Sequence, residues 1–192
     1  MEILIATNNE DKVKEYQEIL NPFGFQCKTL KDLNIVCDPN ETGTTFKENA
    51  YIKACEIAKL TDKIVIADDS GLVVDAYPDL LGVYSHRFLQ DQPYSVKNAE
   101  LIKMVEGKIR TGRYVCVICI MNLTTNPVFF EGILEGEIAT SIKGDNGFGY
   151  DPIFIPCGYS KAIGELGNEE KHKISHRGIA SRKLVDYLNK MK

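Results

Sequence analysis

Short apolar runs alternate along the chain with apolar residues at helical spacing. Ile3–Ala6 is an apolar run typical of a strand, and Lys12–Leu20 carries apolar side chains at the spacing of one helix face. The polar residues Asn8–Asp11 between them have the composition of a turn and a helix N-cap. The chain is therefore predicted to begin with a strand followed by a helix.

The clearest helical pattern spans Thr44–Leu60. Thr45 and Glu48 have the Thr-x-x-Glu spacing of a capping box, and Asn49 and Lys53 lie four residues apart on one face. The other predicted elements are strands over Phe25–Leu30, Leu33–Val36, Ile64–Ala67, Leu72–Asp75, Tyr114–Asn122 and Val128–Ile142, and helices over Ser95–Val105 and Ser181–Met191.

The order of these elements indicates the fold class. Thr124–Pro127 has the composition of a turn between the last two long strands, which predicts an antiparallel hairpin. Early strand–helix alternation followed by a hairpin predicts an α/β fold with a mixed, strongly twisted sheet. The chain has 192 residues with no linker or repeat, so one domain over residues 1–192 is expected.

Composition excludes several classes of protein. The net charge is −4 and no dense Lys/Arg run is present, which disfavours nucleic acid as a partner. No segment approaches the roughly 18 apolar residues of a membrane span, and Met1–Thr7 lacks a basic leader. A cytoplasmic protein without a membrane partner is expected.

Cys116 and Cys119 are three apart in a predicted strand, on opposite faces, which favours reduced thiols over a metal or redox pair.

Asp68 and Asp69 form an acidic pair between two apolar runs. A carboxylate pair where a core strand ends is unfavourable unless it holds a cation or moves a proton. In extended backbone the two side chains point to opposite sides, so one can enter a site while the other caps a turn. Oxygen ligands suit Mg²⁺ or Mn²⁺ together with substrate phosphate, and Glu41 offers a second carboxylate. The alternative is an acidic surface turn.

Two further segments can bind an anion. Thr7–Lys12 joins a strand to a helix N-terminus, where free N–H groups attract negative charge, although the Walker pattern is absent. The alternative is a plain polar turn. Lys53 borders a buried helix face, so it either reaches solvent or ends in a pocket that holds an anion.

Aromatic and basic residues in the last third of the chain suggest a nucleoside site. The glycine-flanked loop contains Phe148 and Tyr150, either of which could stack on a base, unless it is a plain aromatic loop. His176 and Arg177 could donate to a planar acceptor edge, unless their basic segment is an exposed helix end. Together with the lysines and carboxylates, these residues indicate binding and cleavage of a nucleoside triphosphate with a metal.

The chain is similar to the inosine/xanthosine triphosphate pyrophosphatases of the HAM1-like group over nearly its whole length. Six motifs occur in the family's order. They are Thr-x-Asn-x-x-Lys at 7–12, Glu-x-Gly-x-Thr-Phe-x-Glu-Asn-Ala at 41–50, Ala-Asp-Asp-Ser-Gly-Leu at 67–72, Gly-Val-Tyr-Ser-x-Arg at 82–87, Phe-Gly-Tyr-Asp-Pro-Ile-Phe at 148–154 and Ser-His-Arg-Gly at 175–178.

The resemblance implies hydrolysis of ITP, dITP and XTP to the monophosphate and pyrophosphate. It also implies Mg²⁺, a homodimer, and a curved mixed sheet between two lobes with the substrate in a central cleft. Glu41 and Asp69 would serve the metal, with Asp69 also the proton acceptor and Lys53 a catalytic partner. The residues implied to bind substrate are Thr7, Asn8, Asn9, Glu10, Asp11, Lys12, Ser70, Phe148, Gly149, Tyr150, Asp151, Lys171, His176 and Arg177.

The sequence departs from the family pattern in its loops. Asn8 stands where the family often has glycine, Leu81 replaces a proline, and His86 replaces a small residue. Asp145 and Asn146 interrupt a loop that is usually richer in glycine. Two alternatives stay open: a Maf-like pyrophosphatase with another base specificity, and a nucleotide-binding module without turnover.

Overall fold

The computed structural model describes residues 1–191, which form an α/β fold around one six-stranded sheet. The strand order is β2-β1-β3-β4-β5-β6. The strands are β1 (Glu2–Ile5), β2 (Gln26–Thr29), β3 (Ile64–Val74), β4 (Thr111–Met121), β5 (Val128–Ile138) and β6 (Phe154–Pro156). The α-helices are α1 (Glu10–Leu20), α2 (Phe46–Ala58), α3 (Tyr94–Met104), α4 (Asn168–Ile174) and α5 (His176–Asn189).

The sheet is mixed, as the sequence predicts. β1 runs parallel to both its neighbours, with Leu4 opposite Lys28 of β2 and Val65 of β3. β5 and β6 are antiparallel, with Glu137 opposite Ile155. Only six residues, 122–127, join the neighbouring strands β4 and β5, and a connection that short requires the predicted antiparallel hairpin.

The acidic pair lies within a strand, which corrects the sequence-based prediction. β3 runs unbroken over Ile64–Val74, so the expected strands Ile64–Ala67 and Leu72–Asp75 are one element. Asp68 and Asp69 are only 3% and 6% exposed. Cationic partners described below neutralise the carboxylates, so the strand continues through residues that strands normally disfavour.

Other differences concern short elements. The strand predicted over Leu33–Val36 is wrong: a 3₁₀ turn covers Lys31–Leu33, and Asn34 adopts a left-handed φ of 54°. The last helix begins at His176, five residues before the predicted start at Ser181. The helix α4 and the strand β6 were not predicted.

The chain divides into two compact units, each with its own apolar core. Unit 1 comprises residues 1–69, 116–132 and 177 onwards, and unit 2 comprises 70–115 and 133–176. Ile5, Leu20 and Leu184 are among the buried residues of unit 1. Leu101 and Phe154 belong to the core of unit 2. Each unit therefore buries side chains from segments far apart in sequence.

Among residues 1–191, no helix combines the length and the apolar character needed to cross a membrane.

Candidate active site

Unit 1 brings Lys53 between two carboxylates. The Lys53 ammonium on α2 lies 3.4 Å from Asp69 Oδ1 on β3 and 3.1 Å from Glu41 Oε2. The Asn49 amide, one turn before Lys53, donates to Asp69 Oδ2 at 3.1 Å. Asn49 and Lys53 thus meet one carboxylate from one helix face, as their spacing predicts.

The start of α2 fixes this geometry. Thr45 caps the helix by accepting from Glu48 N, and the Glu48 carboxylate accepts from Thr45 N, which confirms the predicted capping box. Asn49 Oδ1 accepts from Gly43 N at 2.8 Å. Because the amide oxygen is used in this way, the amide nitrogen faces Asp69.

The Asp68 side chain contacts other residues than Asp69 does. Its Oδ2 lies 3.0 Å from Lys12 Nζ and 3.2 Å from Arg177 Nη2. The other Nη atom of Arg177 donates to Glu15, so the guanidinium is held between two buried carboxylates. Asp68 Oδ1 has no hydrogen-bond partner within residues 1–191. Asp68 therefore fixes the cations Lys12 and Arg177.

The adjacent carboxylates have opposite affinities for a proton. Burial raises the pKa of both side chains, but in Asp68 the positive charges of Lys12 and Arg177 outweigh it and hold the pKa well below its usual range. In Asp69 burial prevails over the opposing charges of Lys53 and Lys12, so the pKa is raised. Separated pKa values of neighbouring acids mark distinct roles, and Asp69 is the one suited to accept a proton.

Lys53 stays charged in this setting. Burial lowers its pKa, but the carboxylates of Asp69, Asp68 and Glu41 together outweigh burial and raise it. A fixed ammonium beside two carboxylates can neutralise phosphate oxygens.

Thr7–Lys12 leads into α1, which begins at Glu10 after the N-cap residue Asn9. The Asn9 side chain accepts from Lys12 N at 3.1 Å, which confirms the predicted N-cap. Thr7 Oγ1 accepts from Asn9 N at 3.2 Å. Asn8, Glu10 and Asp11 are exposed, and Glu10 pairs with Lys31 at the surface. Lys12 alone of this segment reaches the acidic pair, through Asp68.

In unit 2 a buried ion pair between Asp151 and Lys171 fixes the glycine-flanked loop that contains Phe148 and Tyr150, hereafter the aromatic loop. Asp151 Oδ2 accepts from Phe148 N at 2.9 Å and from Lys171 Nζ at 2.7 Å. Gly147 has a φ of 77°, and a Cβ placed on it would lie 2.1 Å from Asp151 Oδ2. Glycine is therefore required where this loop folds back onto the carboxylate.

The two aromatic candidates differ in accessibility. Tyr150 is buried and its hydroxyl donates to the Ser85 carbonyl at 2.7 Å. Phe148 is half-buried, with Lys171 Nζ 4.8 Å from its ring centroid. Phe148 is thus the ring better placed to stack on a ligand.

His176 is buried and stacked on a tyrosine. Its ring lies 4.5 Å from that of Tyr114 at an interplanar angle of 5°. The Tyr114 hydroxyl donates to Asp151 Oδ1 at 3.4 Å, which links the stacked pair to the loop. Ser70, a further predicted substrate contact in unit 2, is half-buried on β3.

The burial of these residues excludes two alternatives that the sequence left open, an acidic surface turn and an exposed basic helix end. The acidic pair is not a surface turn, and the segment with Lys171, His176 and Arg177 is not an exposed helix end, because all three are buried. Glu15 and Tyr114 were missed from the sequence, since their partners lie far away along the chain. Asn49 could have been found from its spacing to Lys53.

The oxygen ligands available for a metal are few. In the part of the chain that the structure describes, no three His, Cys, Asp or Glu side chains are grouped to hold a metal ion. Glu41 and Asp69 are two carboxylates that converge on one ammonium.

Comparison with known proteins gives consistent matches. A sequence profile described as the Ham1 family matches residues 3–187. A dITP/XTP pyrophosphatase of an Exiguobacterium species is 44% identical over 186 residues, covering 96% of this chain and 95% of that protein. A dITP/XTP pyrophosphatase of Bacillus subtilis is 43% identical over 191 residues, covering 97% and 96%. The structure of the Staphylococcus aureus Ham1 protein matches with a TM-score of 0.88 and 36% identity, over 100% of both chains.

Proposed function

The chain belongs to the Ham1 family, and from this membership we propose that it hydrolyses noncanonical purine nucleoside triphosphates. The products are the nucleoside monophosphate and pyrophosphate, and the substrates are ITP, dITP and XTP. Relatives above 40% identity over nearly their whole length are named dITP/XTP pyrophosphatases. The observation that carries the proposal is the convergence of Lys53, Glu41 and Asp69, beside an Asp68 that holds Lys12.

A Mg²⁺ ion held by Glu41 and Asp69 is part of this proposal. Both residues offer carboxylate oxygens that already gather around one positive charge, Lys53 Nζ. Mg²⁺ is commonly bound by one or two carboxylates together with substrate phosphate, so two protein ligands fit its chemistry. When bound, the ion would neutralise charge on the phosphate oxygens.

Side chains of the protein account for proton transfer, neutralisation of the leaving group and orientation of the base. Asp69 takes a proton from water as the water oxygen bonds to the α-phosphorus, and the bond from that phosphorus to the bridging oxygen breaks. The electron pair leaves with pyrophosphate, whose charge Lys12 and Lys53 offset. Asn49 keeps Asp69 oriented through its amide. Proton acceptance by a positioned carboxylate contributes roughly 10²–10⁴ to such rates.

Thr7–Lys12 are proposed to contact the triphosphate, and Ser70 the substrate beside it. The nucleoside is assigned to the aromatic loop, with Phe148 stacked on the base and Gly149, Tyr150, Asp151, Lys171, His176 and Arg177 around it. In the structure both Nη atoms of Arg177 donate to carboxylates, those of Glu15 and Asp68.

Base selectivity follows from matching donors and acceptors. A 6-oxo purine accepts a hydrogen bond where adenine presents a 6-amino donor, so a buried donor in the site stays unpaired with ATP. Sites built on such pairing discriminate by on the order of 10⁴. The 6-oxo group does not separate ITP from GTP, which differ at position 2.

The test is pyrophosphate release with Mg²⁺ over a panel of ITP, dITP, XTP, GTP, ATP, UTP and dTTP. We expect kcat/KM for ITP, dITP and XTP to exceed that for ATP by at least about 10². Equal rates on ITP and ATP would contradict base selection. A preference for UTP or dTTP would favour the Maf-like alternative, and binding without release would favour a binding module.

We further propose that both units act as one functional domain in a cytoplasmic homodimer. Sedimentation of the purified protein at micromolar concentration would test the dimer, and a monomer that retains full activity would contradict it.

A further inference from the structure

The aromatic loop of unit 2 is held from helix α3. Asn98 Nδ2 donates to the carbonyl oxygen of Gly149 at 3.1 Å. Asn98 is 3% exposed, so its amide is fixed by its surroundings. Gly149 has a φ of 68°, a conformation that glycine adopts readily and other residues rarely do. The bond therefore anchors the loop at a glycine with a left-handed backbone conformation.

Neighbouring side chains of α3 pack on the same region. The ring of Tyr94 meets that of Tyr150 edge-on at 5.3 Å, and a Cβ placed on Gly149 would lie 3.8 Å from the Tyr94 ring. Lys97, also buried, donates instead to the His86 carbonyl at 2.9 Å. Asn98 is thus the residue by which α3 bonds to the loop backbone.

Asn98 is unfavourable for the fold in one respect. Its Oδ1 is buried and has no hydrogen-bond partner among residues 1–191. A buried acceptor without a partner destabilises a protein, and an apolar side chain of similar size would avoid that loss. The donor bond to Gly149 is the contact that an amide supplies here and leucine cannot.

We propose that Asn98 is a positioning residue for nucleoside binding. By holding the Gly149 carbonyl it fixes the peptide between Gly149 and Tyr150. This fixes the point at which the chain leaves Phe148, and so limits the directions in which the Phe148 ring can face a base. This inference rests on the proposed function. Because Asp69 and Lys53 lie on other elements, loss of the Asn98 anchor should weaken nucleoside binding and leave the chemical step unchanged.

The test substitutes Asn98→Leu, which removes the donor and the unpartnered acceptor together at similar volume. We expect KM for ITP to rise about tenfold, the effect of losing one hydrogen bond, with kcat within about twofold of wild type. Inhibition by IMP should weaken to a similar extent. Inhibition by inorganic pyrophosphate, which lacks a nucleoside, should not change. The melting temperature should be equal to that of wild type or higher.

Lys97→Met is the matched control, because it removes the adjacent buried donor of α3, whose hydrogen bond goes to the His86 carbonyl and not to the backbone of the loop. Its KM for ITP should stay within about twofold of wild type. Where leucine does not fit, Asn98→Ala removes the same donor and should give the same rise in KM.

Two results would overturn the inference. One is an unchanged KM for ITP in a folded Asn98 variant, and the other is an equal loss of IMP and pyrophosphate inhibition. A wild-type protein that releases no pyrophosphate from ITP contradicts the proposed function instead, so the two failures are distinguishable.

Discussion

At the scale of single residues, the most informative feature is that two adjacent aspartates have opposite environments. Asp68 lies against Lys12 and Arg177, and its pKa is held well below the usual range. Asp69 lies against Lys53 and Asn49, and burial raises its pKa. One carboxylate serves as a fixed charge, and the other can exchange a proton.

Asp69→Asn should remove turnover and preserve the fold. Loss of the proton acceptor should lower kcat on ITP by at least about 10². Because the raised pKa means that the folded protein disfavours the ionised side chain, a neutral amide should leave the melting temperature at pH 7 equal or higher. Steady-state kinetics and thermal unfolding measure both. Near-normal kcat in this variant would contradict the assigned role.

The sequence predicted some of these residues and could not predict others. The spacing of Asn49 and Lys53 indicates a shared helix face, and both reach Asp69. The partners of Asp68 lie 56 and 109 residues away, at Lys12 and Arg177. Periodicity carries no information on such contacts, so the separate role of Asp68 emerges only from the fold.

At the scale of elements, helix α2 was predicted better than the strand with the acidic pair. α2 occupies Phe46–Ala58, which lies within the predicted span Thr44–Leu60 and begins directly after the N-cap residue Thr45. The sequence predicted two strands in place of β3, because consecutive aspartates and a glycine are uncommon inside strands. Cations from other elements and a close backbone contact at Gly71 make the unbroken strand possible.

Gly71→Ala should separate β3 from the turn that packs on it. A Cβ at Gly71 would lie 2.2 Å from the Gly82 carbonyl oxygen and 2.6 Å from Ser85 Oγ. Ser85 Oγ also accepts from Leu72 N at 2.9 Å, so the whole contact must shift. We expect the free energy of unfolding to fall by about 2–3 kcal/mol in urea titrations.

Gly167→Ala is the control for that substitution. Nothing lies within 4 Å of a Cβ at Gly167, and its φ is −72°. Its effect should stay within about 1 kcal/mol. Equal losses in the two variants would show that the close approach at Gly71 does not limit stability.

At the scale of the whole molecule, each unit is assembled from distant segments. Unit 1 unites three separate stretches, and the ion pair of Glu15 with Arg177 joins residues 162 apart. Local patterns predicted the fold class and most elements, since these depend on neighbouring residues. The resemblance to a family, rather than periodicity, indicated which distant motifs act together.

Acid stability should depend on Asp68 and Asp69 with opposite signs. Asp68 has a lowered pKa in the folded protein, so its contribution is present above its ordinary pKa of 3.8 and is lost as the pH falls below it. Asp68→Asn leaves the buried Arg177 without one charged partner, which should destabilise the protein by about 3–5 kcal/mol at pH 7. That difference from wild type should shrink as the pH falls below 3.8.

Asp69→Asn should show the reverse trend, because a raised pKa makes the ionised wild-type side chain less favourable as the pH rises above 3.8. Its stability relative to wild type should therefore increase with pH. Urea unfolding of the three proteins between about pH 3 and pH 7 measures both slopes, because the aspartates of the unfolded chain take up protons near the lower end of this range. Slopes of the same sign would mean that the two carboxylates share one electrostatic environment, contrary to the contacts that separate them.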